Sequence, residues 1–217
     1  MNILEVYKKY QIMLPQQDHQ LAVAAVGSLI CEHINIKVHK HDVVSALLLH
    51  DMGNIIKYKL DETLNYFPGL KDTWDLNYWQ GVQQDYFNRY GHDEHEATVK
   101  IAKELGVPPR VVELADAVGF EQGQHNAAGE DYERKICAYS DMRVKPTGVV
   151  PLEERIADLH WRYNGTHTFE PDSPVTKFDN SLRRIEKQLF EHCDISPSDI
   201  TQEVVGKRKE SLKNFEI

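Results

Sequence analysis

The sequence has little that would mark a secreted or membrane-embedded protein. Its 217 residues include only three cysteines, Cys31, Cys137 and Cys193, which lie far apart and form no paired motif. No apolar run approaches the roughly 20 residues that a membrane-spanning helix needs. The first residues also lack the charged and then apolar layout of a signal peptide. We therefore expect free thiols in a reducing compartment, a cytoplasmic location and no membrane partner.

Positive charge and strand-like alternation are also scarce. Asp and Glu outnumber Lys and Arg by 34 to 25, which gives a formal net charge of -9. A broad nucleic-acid surface needs clustered positive charge, so we expect no long nucleic acid as a partner. A few local cations would still be enough to hold a small nucleotide. No segment alternates apolar and polar residues for long enough to predict a sheet, which favours an all-α fold.

Histidine, by contrast, is abundant, with eleven in the chain. One pair follows the apolar run 43–49 as His50-Asp51, with Gly53 shortly after. The run predicts a buried helix, and Gly53 stands where a left-handed residue closes a helix. Burying two titratable side chains there is costly without a partner, and a divalent ion takes imidazole and carboxylate together. The alternative is a core histidine bonded to a carbonyl, with Asp51 in solvent.

Two other predicted helices direct polar side chains toward the core. Residues 16–34 form the first long helix, and stepping back from its apolar stripe at spacings of three and four leads to His19. Taken alone, a histidine on an apolar face is more often a packed core residue than a ligand. A later helix over residues 131–142 presents Asp141 on the side of its apolar residues.

The region between these helices offers further histidines. His92 stands at the entry of a helix that runs to residue 105, His95 follows one turn on, and His125 lies in a predicted loop. The preceding segment, residues 61–90, is rich in aromatic residues. It is either a lid over a pocket or a packed accessory helix.

Taken in order, these residues resemble the HD superfamily of metal-dependent phosphohydrolases. The resemblance is carried by His19, by residues 46–53 (Ala-Leu-Leu-Leu-His-Asp-Met-Gly), by residues 91–94 and by Ser140-Asp141. It spans residues 16 to about 160 and implies an HD-domain-like helical bundle. We expect this domain to occupy residues 1–165. Residues 166–217 would then form additional C-terminal helices packed on it or reaching a partner, with a frayed end from 207. A homodimer is left open.

The resemblance implies a metal centre formed by His19, His50, Asp51 and Asp141. This mixed set suits Fe, Mn, Co, Ni, Zn or Mg and does not choose among them. A second metal ion is left open, and His92 is its preferred additional ligand, ahead of other histidines of the same region.

The activity implied is metal-dependent hydrolysis of a small phosphoester or nucleotide. Asp51 or Glu94 would move the proton, and Arg143 and Lys145 would bind the phosphate, with Lys57 as a further nearby cation. Two alternatives remain. A di-iron HD-type oxygenase would need extra ligands such as His92. A non-enzymatic HD signalling module is disfavoured because all four core residues are present.

Overall fold

A computed structural model describes residues 1–162, 170 and 172–217. The all-α prediction is confirmed, because the only strands in this part of the chain are the short antiparallel pair β1 (Val144–Lys145) and β2 (Gly148–Val149). The described helices are, in chain order, α1 (Ile3–Lys9), α2 (Leu14–His33), α3 (Lys40–Leu49), α4 (Thr63–Tyr66), α5 (Leu76–Tyr90), α6 (Glu94–Leu105), α7 (Pro109–Asp116), α8 (Gly123–Ala128), α9 (Tyr132–Asp141), α10 (Leu152–Arg162), α11 (Pro174–Phe190) and α12 (Gln202–Leu212).

The centre of the bundle is α3, whose residues 43–49 are all buried. Helix α2 packs along one side of α3, α7 packs along another, and α9 contacts all three. Gly27 permits a close approach of α2 to α3 and α9, because a Cβ there would lie 2.2 Å from Leu47 Cδ1 and 3.2 Å from Ser140 Oγ. The ends of α2, α3 and α9 that carry the candidate ligands are therefore held together by the core itself.

The segment after α3 is a short 3₁₀ helix, Asn54–Lys57, which α5 holds in place. The side-chain amide of Gln83 donates to the carbonyls of Ile55 and Tyr58, at 2.6 and 2.9 Å. Part of the aromatic segment is packed, as the accessory-helix alternative predicts, and the lid alternative stays a prediction. Tyr86 and Tyr90 are buried, whereas Tyr78 is 49% exposed.

Two sequence-based expectations about loops and ends differ from the structure. Residues 120–129 are not an open loop, because a 3₁₀ turn there leads into α8. The C-terminal stretch is not frayed. Helix α12 packs on α2, with ion pairs from Arg208 to Glu32 (2.7 Å) and Lys209 to Asp18 (2.6 Å).

The C-terminal helices contact the rest of the bundle at several places. Helix α11 lies against α8 and α9, and α12 lies against α2. The predicted domain boundary after residue 165 lies outside the described residues. Within residues 1–162 and 172–217, no helix has both the length and the apolar character that crossing a bilayer requires.

Candidate metal centre

Three helix ends bring the predicted ligands together. His19 lies on the inner face of α2, His50 and Asp51 follow the last residue of α3, and Asp141 is the last residue of α9. His50 is buried to 1% side-chain exposure, while the side chains of His19, Asp51 and Asp141 are 18–20% exposed. The arrangement therefore has a closed floor at His50 and an accessible side formed by the other residues.

The donor atoms of His19, His50 and Asp141 converge, and Asp51 lies near the two histidines without being part of that group. His19 Nε2 lies 3.0 Å from Asp141 Oδ1 and 3.7 Å from Asp51 Oδ2, and His50 Nε2 lies 3.5 Å from each of the same two oxygens. Ligands about 2.1 Å from one ion lie about 3.0–3.4 Å apart at octahedral or tetrahedral angles. In the described part of the chain, His19, His50 and Asp141 are the one group of three such residues whose ligand atoms lie within 4.8 Å of each other.

The ring of His50 is set for metal binding by the backbone of its own helix. Its Nδ1 lies 2.7 Å from the Leu47 carbonyl oxygen, which can only accept, so Nδ1 carries a proton and donates. In the neutral ring Nε2 then has a free lone pair. That atom is buried and has no hydrogen-bond partner among the described residues. A buried nitrogen that faces two carboxylates without bonding either fits a cation between them.

The charges in the centre shift each other's protonation strongly. Burial lowers the pKa of His50, but the negative charges of Asp51 and Asp141 outweigh it and raise the pKa to about 9. Burial alone would raise the pKa of Asp141, but the hydrogen bond with His19 and the nearby His50 ring outweigh it and hold the pKa well below its usual range. Without a metal ion, a proton on His50 therefore offsets the charge of the carboxylates, and a divalent ion would displace it.

Gly53 lets α6 pack closely on this centre. The sequence pattern predicts a different role for it, as the left-handed residue that ends α3. Its φ is −89°, so it is not a left-handed helix end. A Cβ at this position would lie 2.2 Å from the Glu94 carbonyl oxygen and 2.8 Å from Ala97 Cβ. Its N–H also donates to Thr98 Oγ1 at 2.9 Å. Glycine is needed because the first turn of α6 packs directly on the His50-Asp51 turn.

The predicted catalytic residue Glu94 lies at the rim of the centre. Its carboxylate is 23% exposed, 3.4 Å from Lys57 Nζ and 3.9 Å from His95 Nε2. The positive charge of Lys57 also reaches the centre. Burial raises the pKa of Asp51, but His50 and then Lys57 and His19 outweigh it and lower the pKa. Lys57 and Glu94 thus form a charged pair beside the ligands.

The structure corrects the prediction that Arg143 binds phosphate. Arg143 is 2% exposed, and its guanidinium donates to the Val150 carbonyl and the Tyr139 hydroxyl, at 2.6 and 2.7 Å. It also donates to the carbonyls of Pro197 and Ile200, at 3.1 and 3.2 Å. A guanidinium enclosed by these acceptors holds the hairpin and the C-terminal segment together and does not reach a substrate.

The remaining predicted residues lie outside the cluster. Lys145 forms an ion pair with Glu154. His92 is exposed, and its ring packs on Phe87 with 4.6 Å between centroids, so it is not one of the grouped ligands. His125 is exposed on α8. These positions give no support to a second metal ion.

Two glutamines at the centre were missed by the sequence reasoning. Gln16 and Gln20 are buried and contact Asp51, the first at its side chain and the second at its backbone. The available signal was spacing, since both share one helical face with His19. Glutamine was not considered because it does not titrate.

Comparison with known proteins identifies the fold family. The model of the HD domain matches residues 17–159, a range that contains His19, His50, Asp51 and Asp141. The ATP synthase subunit alpha of Aquifex aeolicus is 29% identical over 97 residues, which are 45% of this chain and 18% of that protein. The chain thus spans less than a fifth of that relative's length. No solved structure matches. The chain belongs to the HD domain family, within the superfamily of metal-dependent phosphohydrolases.

Proposed function

We propose that this chain hydrolyses a small phosphoester or nucleotide with the help of a divalent metal ion. The observation that carries the proposal is the buried, unbonded Nε2 of His50, which faces the carboxylates of Asp51 and Asp141. His19 completes the set from α2. These four residues would hold the ion. When bound, it would lower the pKa of a coordinated water toward neutral and offset charge on a phosphoryl oxygen.

The pair Lys57 and Glu94 supplies the groups that a phosphoester substrate needs beside the ligands. Lys57 Nζ is a positive charge next to Glu94 and close enough to Asp51 to lower its pKa. We therefore assign the contact with the substrate phosphate to Lys57 instead of Arg143. Glu94 would take or deliver the proton at the leaving oxygen, a role that typically contributes about 10²–10⁴-fold. Asp51 is the poorer base, because its lowered pKa makes it hold a proton weakly.

The charge of the whole chain favours a small substrate over a polymer. With a net charge of -9, most of the surface would repel a long phosphate backbone. A small phosphoester needs only the local charges of the ion and Lys57. Lys145, the other cation predicted to bind phosphate, is paired with Glu154.

The test is a metal-dependence assay with matched lysine variants. Protein purified without metal-affinity resin is assayed for metal content and against a panel of phosphoesters and nucleotides, with Mn²⁺ and with chelator. Lys57→Ala should lower kcat/KM about 10-fold, as expected for loss of a hydrogen bond to a charged group. Lys59→Ala is the control, because Lys59 is 76% exposed and pairs with Glu62. It should change kcat/KM less than about twofold.

Other outcomes would redirect the assignment. A loss of activity in Lys145→Ala, with Lys57→Ala unchanged, would move the phosphate contact back to Lys145. Oxygen uptake with an organic substrate, together with two bound irons and no phosphate release, would replace hydrolysis by oxygenation. A protein that holds no divalent ion at any concentration would be a non-enzymatic module.

A further inference from the structure

Helix α2 contributes more to the centre than its histidine. Gln16 and Gln20 lie one helical turn apart and both reach Asp51. Gln16 Nε2 donates to Asp51 Oδ2 at 3.0 Å, and Gln20 Oε1 accepts from the Asp51 backbone N–H at 3.4 Å. Gln16 is 7% exposed and Gln20 is fully buried. Two amides from one helix therefore hold both the side chain and the backbone of a single carboxylate residue.

The direction of the Gln16 amide is fixed by a second contact. The Tyr58 hydroxyl donates to Gln16 Oε1, which leaves the Nε2 end directed at Asp51. Tyr58 is itself held at its carbonyl by Gln83 of α5, at 2.9 Å. An amide with both ends engaged has one orientation. The reversed orientation would place an oxygen against the carboxylate and is disfavoured by repulsion.

We propose that Gln16 is a positioning residue that sets the rotation of the Asp51 carboxylate in the metal centre, with Tyr58 setting the orientation of Gln16. The bonded oxygen, Oδ2, is the one that lies 3.5 and 3.7 Å from the two histidine Nε2 atoms. The carboxyl torsion of an aspartate is broad when nothing holds it. A donor on Oδ2 therefore selects the rotation in which that oxygen faces the ligand point. The inference rests on the proposed metal centre.

Partners of a metal-ligating carboxylate commonly change metal affinity by about 10–100-fold when removed. Gln16→Met keeps the length and apolar stem of the side chain and loses the donor. We expect it to weaken Mn²⁺ binding by about 10–100-fold in calorimetric titration. The visible absorption of the Co²⁺ form should also change, because the ligand rotation changes with it.

The matched control is Gln17→Met on the next residue of α2. Gln17 also loses one amide hydrogen bond, from its Nε2 to the Ile12 carbonyl at 2.7 Å, but has no contact with Asp51. It should leave Mn²⁺ affinity within about twofold, because the bond it loses does not reach a ligand or a partner of a ligand. A purely structural role for Gln16 would lower the stability of Gln16→Met and leave its Mn²⁺ affinity and Co²⁺ spectrum unchanged.

A second variant and its control test the same role if Gln16→Met fails to fold. Tyr58→Phe removes only the hydroxyl that orients Gln16. We expect about 3–10-fold weaker Mn²⁺ binding, a smaller effect than that of Gln16→Met, because the amide that bonds Asp51 is still present. Tyr78→Phe is its control, because the Tyr78 hydroxyl also contacts a glutamine amide, that of Gln11 at 2.8 Å, and not the amide that bonds Asp51.

The outcomes separate this inference from the proposed function. If both glutamine variants and both tyrosine variants bind Mn²⁺ like the unaltered protein, the positioning role is wrong while the metal centre stands. If the unaltered protein binds Mn²⁺ but hydrolyses no phosphoester, the proposed function fails and the role of Gln16 is still decided by the titration. If the unaltered protein binds no divalent ion, both are overturned.

Discussion

The contact at Gly53 gives the sharpest test of how the centre is assembled. At a φ of −89° an alanine backbone is allowed, so Gly53→Ala introduces no torsional strain. Its new Cβ would instead lie 2.2 Å from the Glu94 carbonyl oxygen and 3.0 Å from the Thr98 backbone nitrogen. These are backbone atoms, which cannot rotate away as a side chain would. The first turn of α6 must therefore move.

The magnitude follows from the overlap. Normal C···O contacts are about 3.3 Å, so the turn has to shift by about 1 Å. Overpacking of this kind costs about 1–3 kcal/mol, and the lower chain entropy of unfolded alanine recovers about 0.4–1 kcal/mol. We expect a net loss of about 1–2 kcal/mol, or about 2–8 °C in Tm for a chain of this size. Because Glu94 moves with the turn, hydrolysis should fall by up to about 10²-fold.

Urea unfolding followed by circular dichroism measures the loss, with Gly81→Ala as the control. Gly81 lies within α5, and a Cβ there would have nothing within 4 Å. Alanine at such a helical position should stabilise the protein by about 0.5–1 kcal/mol. If Gly53→Ala is as stable as the unaltered protein while Gly81→Ala behaves as expected, α6 does not pack on the His50-Asp51 turn.

Three further predictions address the ligands, the hairpin and pH. His50→Ala should lose most bound metal while the helical circular-dichroism signal persists, and unchanged metal content would refute the site. Arg143→Met should lower the free energy of unfolding by about 3 kcal/mol and leave metal content unaffected, because loss of the buried charged donor leaves its acceptors unpaired. Unchanged stability together with a loss of activity on phosphoesters would instead support the phosphate role. The hydrogen bond from the His39 N–H and the charge of Arg110 outweigh the effect of burial and lower the pKa of Glu133. The ionised Glu133 carboxylate therefore stabilises the fold at pH values above its unfolded pKa of about 4.3. Arg110→Met should therefore destabilise at pH 7, with a difference in urea midpoint that closes as the pH falls below about 4; a constant difference would contradict this assignment.

The sequence was informative where local pattern decides structure. Residues 43–49 are apolar except for Ser45, and such a run is stable only when it is buried, so α3 and the place of His50 at its end were predictable. The helical period placed His19 on the inner face of α2. Asp141 was indicated by its side of α9, and its joining of the other ligands came from the resemblance.

The errors arose where a distant part of the chain decides the role of a residue. Arg143 follows Asp141 closely, so it looked like a phosphate ligand. Its acceptors at Pro197 and Ile200 are 54 and 57 residues away, and no local pattern indicates them. Gly53 was correctly singled out, but as a left-handed helix end. The close approach of α6, which is the actual reason for a glycine there, is a tertiary contact that no local pattern indicates. His92 was expected to point toward the metal centre, but its ring packs on Phe87 of α5 instead.

The separation of the ligands along the chain also affects how the protein folds. His19 and Asp141 are 122 residues apart, and they meet only after α2, α3 and α9 have assembled. An ion bound by both His19 and Asp141 would close the loop of chain between them. Covalent cross-links around loops of about 100 residues are worth about 4–5 kcal/mol, because they restrict the unfolded chain. An ion differs from a cross-link in that the open chain does not retain the site. Metal would therefore be the last component to enter during folding, and its loss the first sign that the three helices have separated.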